Sequence, residues 1–344
     1  VTDAAPAPNY VVEPADLARD RDAVLGVWRG NLGRDERMGA KYDWFYRDSP
    51  LGPPLTLLLR HVASGSVVGV ATAGPRRMQV DGRVIEAGVL VDLAVLPEHR
   101  TLGPALQLQQ AMLDAAGSRF ALLYGVPNRK AVPVFKRVGY VAIAELRRLA
   151  RVLRHREHLA RRVPGPLATA AAPLVDALLR LRDALRQLGQ PRWRARWLDA
   201  PPTNLAAGAS SGLLHGVHDP AFQHWRFAAG PTPPARWLRI EDRSGRLRGW
   251  FTCQTSHDVL QVVDGGGGEG EVAPPRAAVL ALLRAARKAG HASVSLQLAA
   301  PDALLATWRA AGFVVRSQRT VFGRWYGAEA APAAAWLTAA DEDE

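Results

Sequence analysis

An aspartate stands alone in an apolar, β-branched run, Val89-Leu-Val-Asp92-Leu-Ala-Val95, and a tight turn through Arg100-Thr101-Leu102-Gly103-Pro104-Ala105 follows it closely. Burying a lone carboxylate is costly, so Asp92 is either paired or set in a cleft where its proton affinity rises. In a cleft it can take a proton from an ammonium, directly or through water, and is a candidate general base. Paired, it stabilises a bulge or answers a nearby arginine, and the residues leave both readings open. The turn suits different chemistry. Small residues at Gly103 and Ala105 let the backbone approach a pyrophosphate, and the amides from Arg100 to Ala105 and the positive end of the following helix attract it. Arg100 adds a charge-assisted contact, whereas Pro104 has no N–H and removes one donor, although proline suits a first helical turn. An ordinary strand-turn-helix crossover has the same spacing and stays open as an alternative.

These groups need a strand, a turn and a helix to hold them. The flanking sequence provides that order, with strand-like Val89 to Val95 before the turn and helical spacing from Leu106 to Ala115 after it. Upstream, the pattern predicts an N-terminal helix near Pro14 to Gly30 and a hairpin of Leu55 to Val62 and Val67 to Thr72 around Gly65. Downstream, it predicts a strand from Phe120 and a helix from Pro133.

Arg100, Gly103 and Ala105 fit the pattern Arg/Gln-x-x-Gly-x-Gly/Ala, and Pro127-Asn128, Ala131, Phe135 and Gly139-Tyr140 follow at a matching separation. On these residues the first half resembles the GCN5-related N-acetyltransferases. The resemblance implies an α/β (α+β) fold, a mixed and mostly antiparallel twisted sheet flanked by helices, with a site for acetyl-CoA. Pantetheine would lie along Leu93, Ala94 and Val95 like an added strand, and the pyrophosphate would rest on Arg100, Thr101, Leu102, Gly103, Pro104 and Ala105. Asn128 would hold the pantetheine arm and Phe135 would flank the thiol end. Many relatives carry a tyrosine at the Phe135 position to protonate the leaving thiolate, which phenylalanine cannot do. Tyr124, at the end of its strand, is the nearest replacement, its other reading being a packed aromatic. A thiolate is a tolerable leaving group, so loss of the acid does not end the implied chemistry: acetyl transfer to a primary amine, without a metal.

The two halves also share landmarks in one order. Asp43-Trp44-Phe45-Tyr46 with Pro50 parallels His224-Trp225-Arg226-Phe227 with Pro231, and a second strand-turn-strand pattern follows in Ala235 to Glu241, Gly245 and Leu247 to Cys253. Asp264 parallels Asp92, and Arg309 to Phe313 parallels Lys136 to Tyr140. These matches predict two tandem copies of one fold, residues 1–152 and 201–344, joined by a basic helical segment at 153–200. In the second copy, Gly265-Gly-Gly-Gly-Glu-Gly270 contains Gly-x-Gly-x-x-Gly, but Pro274-Pro275 precede the helix, so a flexible loop is expected instead of a dinucleotide fingerprint. Pro301 stands where Asn128 stands in the first copy. The second copy is therefore expected not to bind coenzyme A and to serve as a platform for the acceptor or for a homodimer. The pairing resembles bacterial tandem acetyltransferases associated with polysaccharide synthesis, implying an amino sugar of a surface glycan as acceptor.

The 344 residues carry a formal charge of +12 and one cysteine, Cys253. That cysteine has no internal partner, apolar runs such as Leu167 to Leu179 are interrupted, and Val1 to Tyr10 lacks the layout of a signal peptide, so a cytoplasmic protein is expected. Arginines concentrate between Arg147 and Arg196, where Pro164-Gly-Pro166 divides two expected helices. A solvated, packing helix pair is one reading; peripheral contact with a membrane surface is another, and nucleic-acid binding a third. A coenzyme A sensor without catalytic activity is the rival to an enzyme. The acidic end, Asp341 to Glu344, is expected to be solvated.

Overall fold

The computed structural model describes residues 9–33, 35–154, 175, 177–178, 181–203, 205, 212–268, 270–327 and 331–342. The chain begins with β1 (Tyr10–Pro14), α1 (Arg21–Trp28) and α2 (Met38–Tyr42), and a π turn continues α2 over Asp43–Arg47. Next come β2 (Leu55–His61), β3 (Val67–Val80), β4 (Arg83–Val95), α3 (Leu102–Ala116), β5 (Leu122–Gly125), α4 (Val132–Val138) and β6 (Val141–Val152). The later residues form β7 (Arg194–Leu198), β8 (Leu213–Gly216), α5 (Pro220–Phe227), β9 (Arg236–Glu241), β10 (Leu247–Ser256) and β11 (Val259–Gly267). They continue through α6 (Arg276–Lys288), β12 (Ser293–Ala299), α7 (Asp302–Ala310), β13 (Val314–Trp325) and β14 (Ala334–Thr338).

One mixed sheet runs through both halves in the order β1-β2-β3-β4-β5-β13-β6-β12-β11-β10-β9-β7. Neighbours on this path are antiparallel except β4 with β5 and β11 with β12. β14 pairs with β12 and β8, and β8 pairs with β3, which closes the hydrogen-bonded path into a ring. The central arrangement is an exchange: β13 lies against β5, and β6 lies against β12.

Local sequence explains much of this. Asp81-Gly82, both at positive φ, makes the tight turn between β3 and β4, a conformation that Asp-Gly adopts readily. Leu108, Met112 and Ala116 form the buried stripe of α3. The expected helix from Pro14 begins later, because Tyr10–Pro14 is an edge strand on β2 and Asp16 turns the chain by accepting from the amides of Ala18 and Arg19. The glycines after Asp264 are not a flexible loop: Gly265, Gly266 and Gly267 belong to β11, and a Cβ on Gly265 would stand 2.7 Å from the Phe251 ring. They are small so that the strand can meet the rings of β10.

The expected helical stretch between the halves is also shorter than its proposed limits. Arg147, Arg148 and Arg151 lie on β6, and Arg194 and Arg196 on β7, where cross-strand pairing overrides the local composition. Residues 155–174, including the Pro164-Gly-Pro166 break, lie outside the described residues, as do 1–8 and 343–344. The acidic end is not solvated as far as Glu342, since Asp341 is 2% exposed and Glu342 7%. His218 explains why. Its Nδ1 lies 2.9 Å from Asp264 Oδ2 and its Nε2 2.9 Å from Asp341 Oδ1, so a buried imidazole joins two carboxylates.

The two tryptophans of the repeated landmark meet. Trp44 and Trp225 stack with ring centroids 4.8 Å apart. Each indole N–H donates to the other's carbonyl, at 2.9 and 3.1 Å. Arg226 lies over the Trp44 ring and Phe45 packs against Trp225, so matching positions of the two halves face each other.

Candidate functional site

β4 and β5 pair only from Ala87 to Val89 and Leu122 to Tyr124, then part. Beyond that point the β4 edge through Leu93, Ala94 and Val95 has β3 on one side and a cleft on the other. The outer cleft has a volume of about 690 Å³ and is walled by Leu93, Ala94, Val95, Arg100, Ala105 and the Asn128–Ala131 turn. An inner chamber of about 290 Å³ continues from it, reaching Asp92, Tyr124, Asn128 and Phe135. Leu93, Asn128 and Ala131 line both parts, so the expected residues gather along one passage.

Asp92 sits on a β-bulge. Val70 opposes Ala94 and Thr72 opposes Val91, leaving Asp92 and Leu93 against Ala71 alone, and Asp92 takes φ +53°. Bulges redirect side chains, and this one aims a carboxylate inward. The carboxylate is paired: Lys41 Nζ lies 2.7 Å from Oδ1, and the Tyr46 hydroxyl donates to Oδ2 at 2.8 Å. Tyr46 also lies 2.9 Å from Thr72 Oγ1, which fixes the ring between α2 and the sheet. Lys41 is not marked by the sequence, and Tyr46 stands out there only as part of the Trp44 landmark.

At the turn, the 3₁₀ segment Pro97–His99 uses two amides internally. Arg100 N–H donates to Pro97 and Thr101 N–H to His99, so neither is left for a ligand, contrary to an amide row running from Arg100. Thr101 takes an extended N-cap conformation without a side-chain cap, leaving the first α3 amides at Leu102, Gly103 and Ala105. A Cβ on Gly103 would meet nothing within 4 Å, so protein packing does not account for glycine there. The Arg100 guanidinium donates to the Val95 carbonyl and to the Asn31 side chain at the cleft's edge. Arg129 and Lys130 add positive charge on the opposite wall.

Asn128 spends its side-chain oxygen on the amides of Lys130 and Ala131, capping the turn into α4. Phe135 is buried against Tyr140 and Phe322 and forms part of the chamber wall. Tyr124 is fully buried, and its hydroxyl donates to the Asp341 carbonyl at 2.8 Å. Burial pushes its pKa far above the ordinary value of 10, so the group stays a hydroxyl but is a poor proton donor to a thiolate.

The far end of the chain completes the chamber. Arg319 on β13 and Glu342 beyond β14 both line it and pair at 2.5 Å, and Arg226 donates to the Glu342 carbonyl. No sequence signal marks Arg319, and Arg226 and Glu342 stand out only as part of the repeated landmark and of the acidic end, because long-range strand pairing brings them together. Among the described residues no cluster of histidine, cysteine or carboxylate side chains could hold a metal ion, and no helix is long and apolar enough to cross a membrane.

No protein-family model matches the sequence, and no curated protein matches it significantly. Solved structures do match in fold. A conserved Enterococcus faecalis protein of unknown function, described as a probable N-acyltransferase, aligns over 93% of this chain and 73% of its own, with TM-score 0.60 and 12% identity. A GCN5-related N-acetyltransferase from Anabaena variabilis aligns over 92% and 73%, with TM-score 0.59 and 13% identity. Another from Kribbella flavida aligns over 93% and 72%, with TM-score 0.58 and 16% identity. The chain has the fold of GCN5-related N-acetyltransferases.

Proposed function

We propose that this protein is an N-acyltransferase that binds acetyl-CoA between β4 and β5 and transfers the acetyl group to a primary amine. The observation that carries this reading is the coincidence, in one cleft of that fold, of an unpaired strand edge, an uncapped helix start and a basic mouth. Acetyl-CoA supplies the acyl group as an activated thioester. The β4 edge at Leu93, Ala94 and Val95 can hydrogen-bond an amide-bearing arm as a further strand would. Amides of Leu102, Gly103 and Ala105, with Arg100, Arg129 and Lys130, provide for the phosphates, and the open space at Gly103 is what such a group needs. Thr101 and Pro104 shape the turn without offering an amide. Asn128 retains its side-chain N–H₂ for the arm, and Phe135 gives the thiol end an apolar wall.

Lys41 and Tyr46 hold the Asp92 carboxylate at the inner end, where we assign it removal of the acceptor's proton, directly or through water. Tyr124 is assigned a positioning part instead of the acid's, since its hydroxyl anchors the Asp341 carbonyl. The reading treats 1–152 and 201–344 as copies of one unit, supported by the Trp44–Trp225 contact, with the second supplying Arg319 and Glu342 to the acceptor's side. An amino sugar is the acceptor class to test first, in a cytoplasmic reaction. Thiol release from acetyl-CoA, measured across amino sugars, polyamines, amino acids and aminoglycosides, tests the assignment. Turnover with one class supports it; failure to bind acetyl-CoA by calorimetry removes it. Tight binding without thiol release on any amine supports a coenzyme A sensor, a reading favoured by Phe135 and by the commitment of Tyr124 to Asp341.

A further inference from the structure

Residues 177–178 and 181–186 are helical, and this segment turns its polar side inward and its leucines outward. Asp183 is buried, with its carboxylate 2.5 Å from Arg151 on β6 and 2.7 Å from Arg287 on α6. Arg276 donates to the Arg186 carbonyl, and Arg284 to the Gln187 side chain and the Trp193 carbonyl. The helix is therefore fastened to α6 and the sheet by ion pairs and hydrogen bonds. Its apolar stripe faces the other way. Leu178, Leu181, Leu185 and Leu188 recur at intervals of three, four and three residues, and are 67%, 59%, 59% and 72% exposed. That orientation inverts the usual amphipathic helix of a water-soluble domain, which buries its leucines.

The charge around the stripe is mainly positive. Between residues 177 and 198 the sole acidic residue is Asp183, whose charge is consumed in the buried network, whereas Arg182, Arg192, Arg194 and Arg196 are exposed; the exposed Asp199 that follows is paired with Arg236. Beside the helix the Gly312 carbonyl accepts from Arg151, and just beyond it Val314 and Val315 are exposed at the start of β13. Leucines flanked by exposed arginines match the requirements of an interfacial helix on an anionic bilayer: apolar side chains enter the acyl boundary while the basic groups meet the headgroups. A water-filled solution offers the leucines nothing comparable.

We infer that this helix docks the protein on an anionic lipid surface through Leu178, Leu181, Leu185 and Leu188, with the neighbouring arginines supplying electrostatic attraction. The helix is anchored to α6 and none of its described residues lines the β4–β5 cleft, so the inference does not rest on the acyl-transfer assignment. Docking would bring the cleft to acceptors made or carried at a membrane.

The test is sedimentation of the full-length chain with vesicles of phosphatidylcholine alone and of equal parts phosphatidylcholine and phosphatidylglycerol. Binding to the anionic vesicles, weakened by salt, is expected, with little binding to the neutral ones. Arg182→Glu with Arg192→Glu should lower the partition coefficient by roughly five-fold or more for each arginine lost. Leu181→Ser with Leu185→Ser should lower it by about ten-fold or more, since two apolar side chains no longer enter the bilayer. Both variants change exposed side chains, and unchanged circular dichroism and thermal unfolding would show that they fold. Absence of wild-type binding to anionic vesicles overturns the inference, as does undiminished binding of the leucine variant. Self-association detected by light scattering, abolished by the leucine variant and unaccompanied by vesicle binding, assigns the face to a second copy of the chain and also overturns it.

Discussion

Removing the imidazole of His218 should destabilise the protein in a way that depends on pH. Burial alone would lower the pKa of His218, but Asp264 and Asp341 on either side reverse this and raise it from 6.5 to about 10. A folded-state value above the unfolded one means that the stabilisation is fully present below about pH 6.5, and is lost as pH rises through about 10. A tenfold change in proton affinity is worth about 1.4 kcal/mol, so the clamp accounts for at most roughly 4–5 kcal/mol. Truncating one member of a buried charge pair costs about 3–5 kcal/mol by a separate route, through the unpaired carboxylates left behind. Asp341 sets the acid side. Burial opposes its charge, but His218 prevails and holds its pKa below 3.8, so its contribution is present above that value and lost as pH falls through the folded one. Urea unfolding of wild type and His218→Gln, followed by tryptophan fluorescence, should show a difference of about 3–5 kcal/mol near pH 6. That gap should narrow by about 2 kcal/mol or more towards pH 9.5, because above about pH 6.5 the unfolded chain releases the proton that the folded histidine still holds. An equal gap at both pH values, or one under about 1 kcal/mol near pH 6, would refute the charged clamp.

Asp92→Asn should lower thiol release by about 10²-fold or more with acetyl-CoA affinity unchanged, and unaltered turnover across pH would remove Asp92 as the base. Gly103→Ala should stabilise the fold by about 0.5–1 kcal/mol because a Cβ there meets no atom, whereas Gly103→Glu should weaken acetyl-CoA binding about ten-fold or more; calorimetry and thermal unfolding separate these effects. Gly265→Ala, which places a Cβ 2.7 Å from the Phe251 ring, should cost about 1–3 kcal/mol in chemical denaturation. Trp44→Ala should cost about 3–5 kcal/mol on the same measure, from lost ring packing and the lost indole hydrogen bond to the Trp225 carbonyl.

Local features explain which parts were legible. The apolar strand, turn and helical spacing from Val89 to Ala115 are short-range patterns, and the structure forms β4 and α3 there. The Trp44 and Trp225 landmarks were visible because their aromatic content is repeated, although nothing in either segment says that they touch. Long-range packing decided the rest. Gly265 to Gly267 reads as a loop until the rings of Trp250 and Phe251 are placed beside it, when the same lack of side chains becomes a condition for a buried strand. Asp341 and Glu342 read as solvated charges until His218, Arg226 and Arg319 are brought to them. Asp92 stands out in the sequence as an isolated charge, but the lysine that pairs with it lies 51 residues away.

The strand exchange gives these long-range contacts a common cause. β6 follows the first cleft in sequence but pairs with β12, and β13 comes from the far half to pair with β5. β5 is only four residues long, so β13 continues past it along the β6 edge and carries Arg319 into the chamber. After β14, the turn over Ala339–Asp341 is fixed by the capping box of Thr338 and Asp341 and by the grip of His218 on Asp341. That fixed turn presents the Asp341 carbonyl to Tyr124 and the Glu342 carboxylate to Arg319. The wall opposite Asp92 is therefore built by the half that lacks the phosphate turn. With β13 on β5 and β6 on β12, residues 201–344 must keep their core, their histidine clamp and their final turn for the cleft beside β4 to have a floor.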